Sequence, residues 1–361
     1  MTNSITNRQM FFILFLTLTT YTAIGIAKVM VENANTGCWI PILVMALIFA
    51  VAVTTIVRLN NMFQGKVLFD YSREIVGKFP AYVLGIYFIL YFLLLGIYLN
   101  VQVVNMIRAE FYPETPQWAT LLLGIPVFGF MAYKGVTNVA RLFEIYGIIF
   151  ITAAVTVHVI MFTQGMGYSI FPLFNKADMG QYAAALKDAV FPFLGIEILT
   201  IIPFTQKNGK KATKAAFFTL IAIGLFYVMV VESTVKIAGF HNITSYKYPL
   251  IEAVRLADIP FFERGDILYL TMGFFGLIAG ITIVYLAIVE YACRVFAKAK
   301  RAVIVIITGA VLTAACLFAL GIKDLDIFLD YFTFMGLVSA ILIPTVLFVI
   351  ARVKKRAGKI R

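Results

Sequence analysis

Phe191-Pro192-Phe193-Leu194-Gly195-Ile196-Glu197 interrupts an apolar stretch bounded by Lys187 and Lys207. A proline removes a helical hydrogen bond, and a glycine tolerates unusual backbone angles. A carboxylate costs about 3 kcal/mol to place at the centre of a bilayer. Such a combination at mid-membrane depth is not built to face lipid. Irregular backbone there is tolerated only where it is buried in protein or lines a cavity. The stretch therefore marks a binding site inside a membrane-spanning bundle.

The surrounding composition agrees. The chain has 361 residues, 62% hydrophobic and 13% charged. Soluble domains run at about 45–50% apolar and about 25% charged, so a multi-pass membrane protein is the class that fits. Spans are expected near residues 10–30, 38–58, 80–107, 116–133, 140–162, 186–205, 212–238, 266–293, 302–321 and 328–351, each long enough for about 30 Å of hydrocarbon. The first is read as a span and not as a removable signal peptide, because Lys28 and Glu32 follow it instead of a small-residue cleavage site. Arg58 to Lys78, Lys207 to Lys214, Arg294 to Arg301 and Arg352 to Arg361 concentrate basic residues on one side, which predicts cytoplasmic termini. The net charge of +12 thus has an orienting role and needs no nucleic acid. Three scattered cysteines and two histidines imply neither a disulfide framework nor a metal site, and no cofactor motif is present. Enzymatic activity finds no support, since no nucleophile–base pair or phosphate-cradling glycine loop can be read.

A second interruption, Thr19-Thr20-Tyr21-Thr22-Ala23-Ile24-Gly25, lies in the first span. The first and sixth spans hold corresponding positions in two halves of five. Paired interruptions of that kind point to a transporter-type site. The expected fold is all-α and integral to the membrane, about ten transmembrane helices in a five-plus-five inverted repeat with discontinuous first and sixth helices. The repeats would cover residues 10–162 and 186–351 of a single domain, 1–361. New helix ends expose N–H groups at one break and carbonyls at the other. Gly25 and Ile26 could meet a carboxylate, and carbonyls near Phe191 and Pro192 an ammonium, so an α-amino acid matches both. Candidate ligand-binding residues are Thr19, Thr22, Gly25, Ile26, Tyr98, Phe191, Phe193, Gly195, Glu197, Thr282 and Tyr285. Glu197 could cap the inner half-helix or act as a coupling group. His158 is a second coupling candidate, although a satisfied histidine is the plainer reading, and Glu232 is expected to pair with Lys236.

The sixth-span motif, with Pro203-Phe204 after it, resembles that of spore germinant-receptor B subunits, the GerAB-type permease family. Further similarities are Arg8-Gln9, Asp70-Tyr71-Ser72 to Gly77-Lys78, Tyr248-Pro249, Glu252, Arg255, Ile259-Pro260, Arg264 and Asp266. The resemblance implies membership of the amino acid–polyamine–organocation transporter superfamily and a leucine-transporter-type fold. It also implies a nutrient sensor in the spore inner membrane. Its partners would be a small-molecule germinant, an A-type membrane subunit and a C-type lipoprotein subunit. A proton- or sodium-coupled amino acid permease is the alternative, and a scaffold with a vestigial pocket is a third.

Overall fold

A computed structural model describes residues 5–165, 179–203, 209–258, 265–322 and 326–357, with the side chains of 20–23, 265–268, 270, 272, 275, 326 and 356 left aside. Every regular element among these residues is helical. The reason is the solvent: in hydrocarbon a backbone must satisfy its own hydrogen bonds, and a helix does so within one segment. In chain order come α1 (Asn7–Ala34), α2 (Trp39–Met62), α3 (Leu68–Ile75), α4 (Lys78–Glu110), α5 (Gln117–Lys134) and α6 (Val136–Gln164). The interrupted element follows as α7 (Met179–Asp188), α8 (Val190–Phe193) and a 3₁₀ stretch, Ile196–Ile201. Then come α9 (Gly209–Ala238), α10 (Phe240–Ile243), α11 (Pro249–Leu256), α12 (Gly265–Val295), α13 (Arg301–Ala319), α14 (Leu329–Leu337) and α15 (Ile343–Arg356).

Among the described residues, seven helices are long and apolar enough to cross a membrane, or eight with the bent first helix. The 18-residue α5 lies between α4 and α6 in chain order, and the interrupted α7–α8 element before α9. Large apolar side chains such as Leu123, Ile306 and Phe318 are mostly exposed around the outside, which suits a lipid environment. Inside, α2 runs along α9, α4 along α12, and α1 lies against α6, α9 and α12. The α2–α9 approach is close because Gly224 faces Ala46, and a methyl group at Gly224 would collide with that alanine.

The amphipathic Gly65–Lys78 connection forms α3, as its pattern predicts. Leu68, Phe69, Tyr71 and Ile75 are buried, while Arg73 and Glu74 face outward. Tyr71 Oη donates to Asn60 Oδ1 at 2.9 Å, and Asn60 Nδ2 donates to the Leu199 carbonyl at 2.8 Å. A surface helix is thereby pinned to the 3₁₀ stretch. The long 239–265 connection contains α10 and α11, and α11 packs on α1, α9 and α12. Arg255 holds it to α4 through Glu110 at 2.7 Å and pairs with Glu252 at 2.9 Å. Residues Ile259, Pro260 and Arg264 of that connection, and much of the 163–185 loop, lie outside the described residues.

The last crossing also carries an irregularity. Between α14 and α15, Val338–Leu342 winds as a π-helix. The carbonyl of Met335, just before it, accepts bonds from Tyr87 Oη and Ser339 Oγ, each at 2.8 Å.

Candidate functional site

The two interruptions take different physical forms. In the sixth element the helix stops. Leu194 is extended at φ −68° and ψ 143°, and Gly195 follows at φ +125°, a conformation that side chains other than glycine rarely adopt. The exposed backbone groups are then taken up locally. Leu194 N–H donates to the Phe191 carbonyl at 3.1 Å. Glu197 Oε2 accepts from Gly195 N–H at 2.9 Å, and its Oε1 accepts from Tyr91 Oη at 2.7 Å. Thr200 Oγ1 bonds the Glu197 carbonyl at 2.5 Å and Tyr291 Oη at 2.8 Å. The fully buried carboxylate is therefore a brace across the break, fixed to α4.

In the first element the backbone stays helical, and the axis bends by 62° between Asn7–Thr19 and Ile24–Gly37. Thr19 Oγ1 donates back to the Phe15 carbonyl at 2.7 Å, a bond that competes with the helical ladder and favours bending. The interruption is thus a bend where unwinding was expected.

One side chain joins the two. Tyr227 Oη, from α9, lies 2.6 Å from the Leu18 carbonyl and 2.8 Å from the Pro192 carbonyl. Its single proton can serve only one of them at a time. Tyr227→Phe leaves both buried carbonyls without that donor and is expected to cost about 1–3 kcal/mol. Thermal unfolding in detergent measures it, and an unchanged midpoint would show that the hydroxyl does not hold the breaks together.

A cavity of about 400 Å³ lies between the bend and the break. That is within the range of small-ligand pockets. Gly25 and Ile26 line it from α1, Tyr98 and Gln102 from α4, and Phe191 and Pro192 from α8. Its remaining polar wall is balanced in sign: Lys28, Lys187 and Lys247 against Glu32, Asp188 and Asp330. Lys187 and Asp330 pair at 3.0 Å, linking α7 to α14, and Asp188 accepts from Asn33 at 2.7 Å. Below it, sharing Phe191 as a wall, is a void of about 40 Å³ bordered by Thr17, Gly195 and Glu197. That space admits a water molecule and excludes an amino acid. Phe191 meets Tyr98 edge-on at 5.7 Å, and Tyr98 packs on Phe332 at 5.3 Å. Aromatic rings therefore divide the two spaces.

Of the candidates from the sequence, Gly25, Ile26, Tyr98 and Phe191 come together on the larger cavity, and Gly195 and Glu197 on the smaller void. The structure does not bring the rest to either. Thr19 borders a separate void of about 30 Å³. The side chain of Thr22 lies outside the described residues. Phe193 is packed between Phe49 and Tyr227, at 5.7 and 5.4 Å. Thr282 is buried within α12. Tyr285 donates to the Val305 carbonyl of α13 at 2.7 Å and rests beside Gly129 and Gly309. His158 has both ring nitrogens engaged, with Ser233 Oγ at 2.7 Å and Tyr269 Oη at 3.2 Å. Glu232 does not pair with Lys236: it accepts from Cys38 Sγ at 3.6 Å, while Lys236 donates to the Phe162 carbonyl at 2.5 Å. Among the described residues, no three His, Cys, Asp or Glu side chains are grouped to hold a metal ion.

A family profile described as "Spore germination protein" (Spore_permease) matches residues 4–320. The chain belongs to the spore germination protein family. Its relatives in Bacillus subtilis include spore germination protein YndE, 26% identical over 89% of this chain and 88% of that one. Spore germination protein A2 of the same organism is 22% identical, over 91% and 90% of the two chains. In three dimensions this family member is similar to MhsT in complex with L-phenylalanine, with a TM-score of 0.61 over 96% of this chain and 88% of that one, at 12% identity. It is also similar to Mhp1, a nucleobase-cation-symport-1 family transporter, with a TM-score of 0.58 over 95% and 76% of the two chains, at 11% identity. The architecture is the leucine-transporter-type fold, and the bend and break fall in its first and sixth helices.

Proposed function

We propose that this chain is the membrane subunit of a germinant receptor and binds a small zwitterion, an α-amino acid, in the 400 Å³ cavity between α1 and α8. The observation that carries this reading is the cavity wall, where three lysines stand against three carboxylates around an aromatic floor. A wall without net charge favours a ligand that carries one charge of each sign over a simple anion or cation. MhsT, a structural neighbour, is described in complex with L-phenylalanine, which fits the same ligand class. The ligand's carboxylate meets the Gly25–Lys28 side of the cavity and its ammonium the Asp188–Asp330 side. Closure of Phe191 and Tyr98 over it passes through the bent and broken helices to A-type and C-type partner subunits. In this reading both termini are cytoplasmic, the protein sits in the spore inner membrane, and it carries out no chemical conversion and needs no cofactor.

Calorimetric titration of the full-length protein in detergent tests the ligand class. An α-amino acid is expected to bind at least ~10-fold more tightly than its carboxamide or its α-hydroxy acid, a difference of about 1.4 kcal/mol for each lost charge contact. Equal binding of all three would remove the zwitterion from the proposal. The transporter fold favours a second reading, a proton- or sodium-coupled amino acid permease. Gradient-driven uptake of labelled amino acid by vesicles containing only this chain would select it.

A further inference from the structure

The end of the bundle where α1 begins and α15 ends holds another cavity, of about 730 Å³, between α2, α9 and α15. Arg58, Lys210, Lys214 and Lys355 line it, and no carboxylate does. Several basic side chains elsewhere at this end are matched: Arg8 with Glu144, Lys66 with Glu74, and Arg294 and Arg301 with Glu290. Among the described residues none of the four cleft cations has an acidic partner, and Lys214 rests over the Phe218 ring at 5.8 Å. Four like charges held close together repel one another, and a bound anion relieves that repulsion.

A further feature narrows the anion. Thr54 and Thr213 in the lining bond back to the Val51 and Gly209 carbonyls, Phe217 and Phe348 form its apolar part, and the same three helices present exposed Val51, Phe218 and Val353 to the surroundings. A soluble anion has no use for such walls, whereas an acyl chain does. Basic pockets between spans at this depth bind lipid headgroups.

We propose that this cleft is a binding site for one anionic glycerophospholipid of the leaflet on that side of the bundle. The phosphodiester sits among Arg58, Lys210, Lys214 and Lys355. The acyl chains run along Phe217 and Phe348. Bound in this way, the lipid ties α15 to the α2–α9 pair. The site is separate from the amino acid cavity and does not depend on that reading.

Thermal unfolding of the purified full-length chain in a neutral detergent, with phosphatidylglycerol, phosphatidylcholine or inorganic phosphate added, tests the site. Phosphatidylglycerol is expected to raise the midpoint in a saturable way, and the other two to leave it unchanged. Each cation contributes roughly fivefold to the affinity for anionic lipid, so Arg58→Gln/Lys210→Gln/Lys214→Gln/Lys355→Gln is expected to weaken binding by several hundredfold. Should that variant misfold, Arg58→Gln/Lys355→Gln and Lys210→Gln/Lys214→Gln each carry about a 25-fold loss. Lys134→Gln/Arg141→Gln, at the same end but outside the cleft, is expected to keep the full response. Equal stabilisation by phosphatidylcholine, reproduction of the shift by phosphate alone, or an undiminished response in the neutralised variants would each overturn the proposal.

Discussion

Gly25→Trp is expected to abolish amino acid binding and germinant response while leaving the protein folded. An added Cβ at Gly25 meets nothing within 4 Å, because the position faces the open cavity. The backbone there is helical, so replacing glycine carries no conformational penalty and gains helix propensity. The indole then occupies the volume that the ligand needs. Affinity is expected to fall by about two orders of magnitude or more, the equivalent of roughly 3 kcal/mol. Titration calorimetry reads the affinity, and thermal unfolding in detergent reads the fold. Gly25→Ala serves as the control, since a methyl group leaves most of the cavity open. Unaltered binding by the tryptophan variant would place the ligand elsewhere.

The second large effect concerns stability. Glu197→Ala strands Gly195 N–H and Tyr91 O–H in a fully buried setting. Each unmade bond costs about 1–3 kcal/mol, and together they approach the whole margin of many folded proteins. The alanine variant is expected to be recovered poorly and to elute as aggregate in size-exclusion chromatography. Glu197→Gln keeps an oxygen for Gly195 N–H, and the tyrosine hydroxyl can rotate to accept from the new amide. Its expected cost is about 1 kcal/mol. An alanine variant as stable as the glutamine variant would show that the carboxylate does not brace the break. A stable glutamine variant without ligand response would assign the negative charge a part in signalling or coupling.

The sequence declared the break in the sixth element openly, because proline, glycine and glutamate have no other reason to meet inside an apolar run. The ends of the long helices were also legible, since hydrocarbon thickness and flanking charges leave little latitude. The form of the first break was not. Threonine can either loosen a helix or bond back onto it, and only packing decides. The sequence could offer Thr282 and Tyr285 as candidates but could not name the neighbour, and for Tyr285 the slot beside Gly129 and Gly309 leads toward α13. The charged rim was hidden for another reason. Lys187 and Asp330 sit at helix ends far apart in sequence, where any charge reads as an ordinary loop residue. Tyr227, in a run of apolar residues, gave no sign that its hydroxyl reaches two interrupted helices at once.

The wide turn at Val338–Leu342 sets the rotational phase of the last crossing. A π-turn carries one residue more than an α-turn, and each residue of helix turns the chain by about 100°. Without that insertion, the segment above it would point Asp330 and Thr333 a quarter-turn or more away from the mouth where they now stand. The α14 side of the rim thus owes its aim to a single supernumerary residue about two turns below.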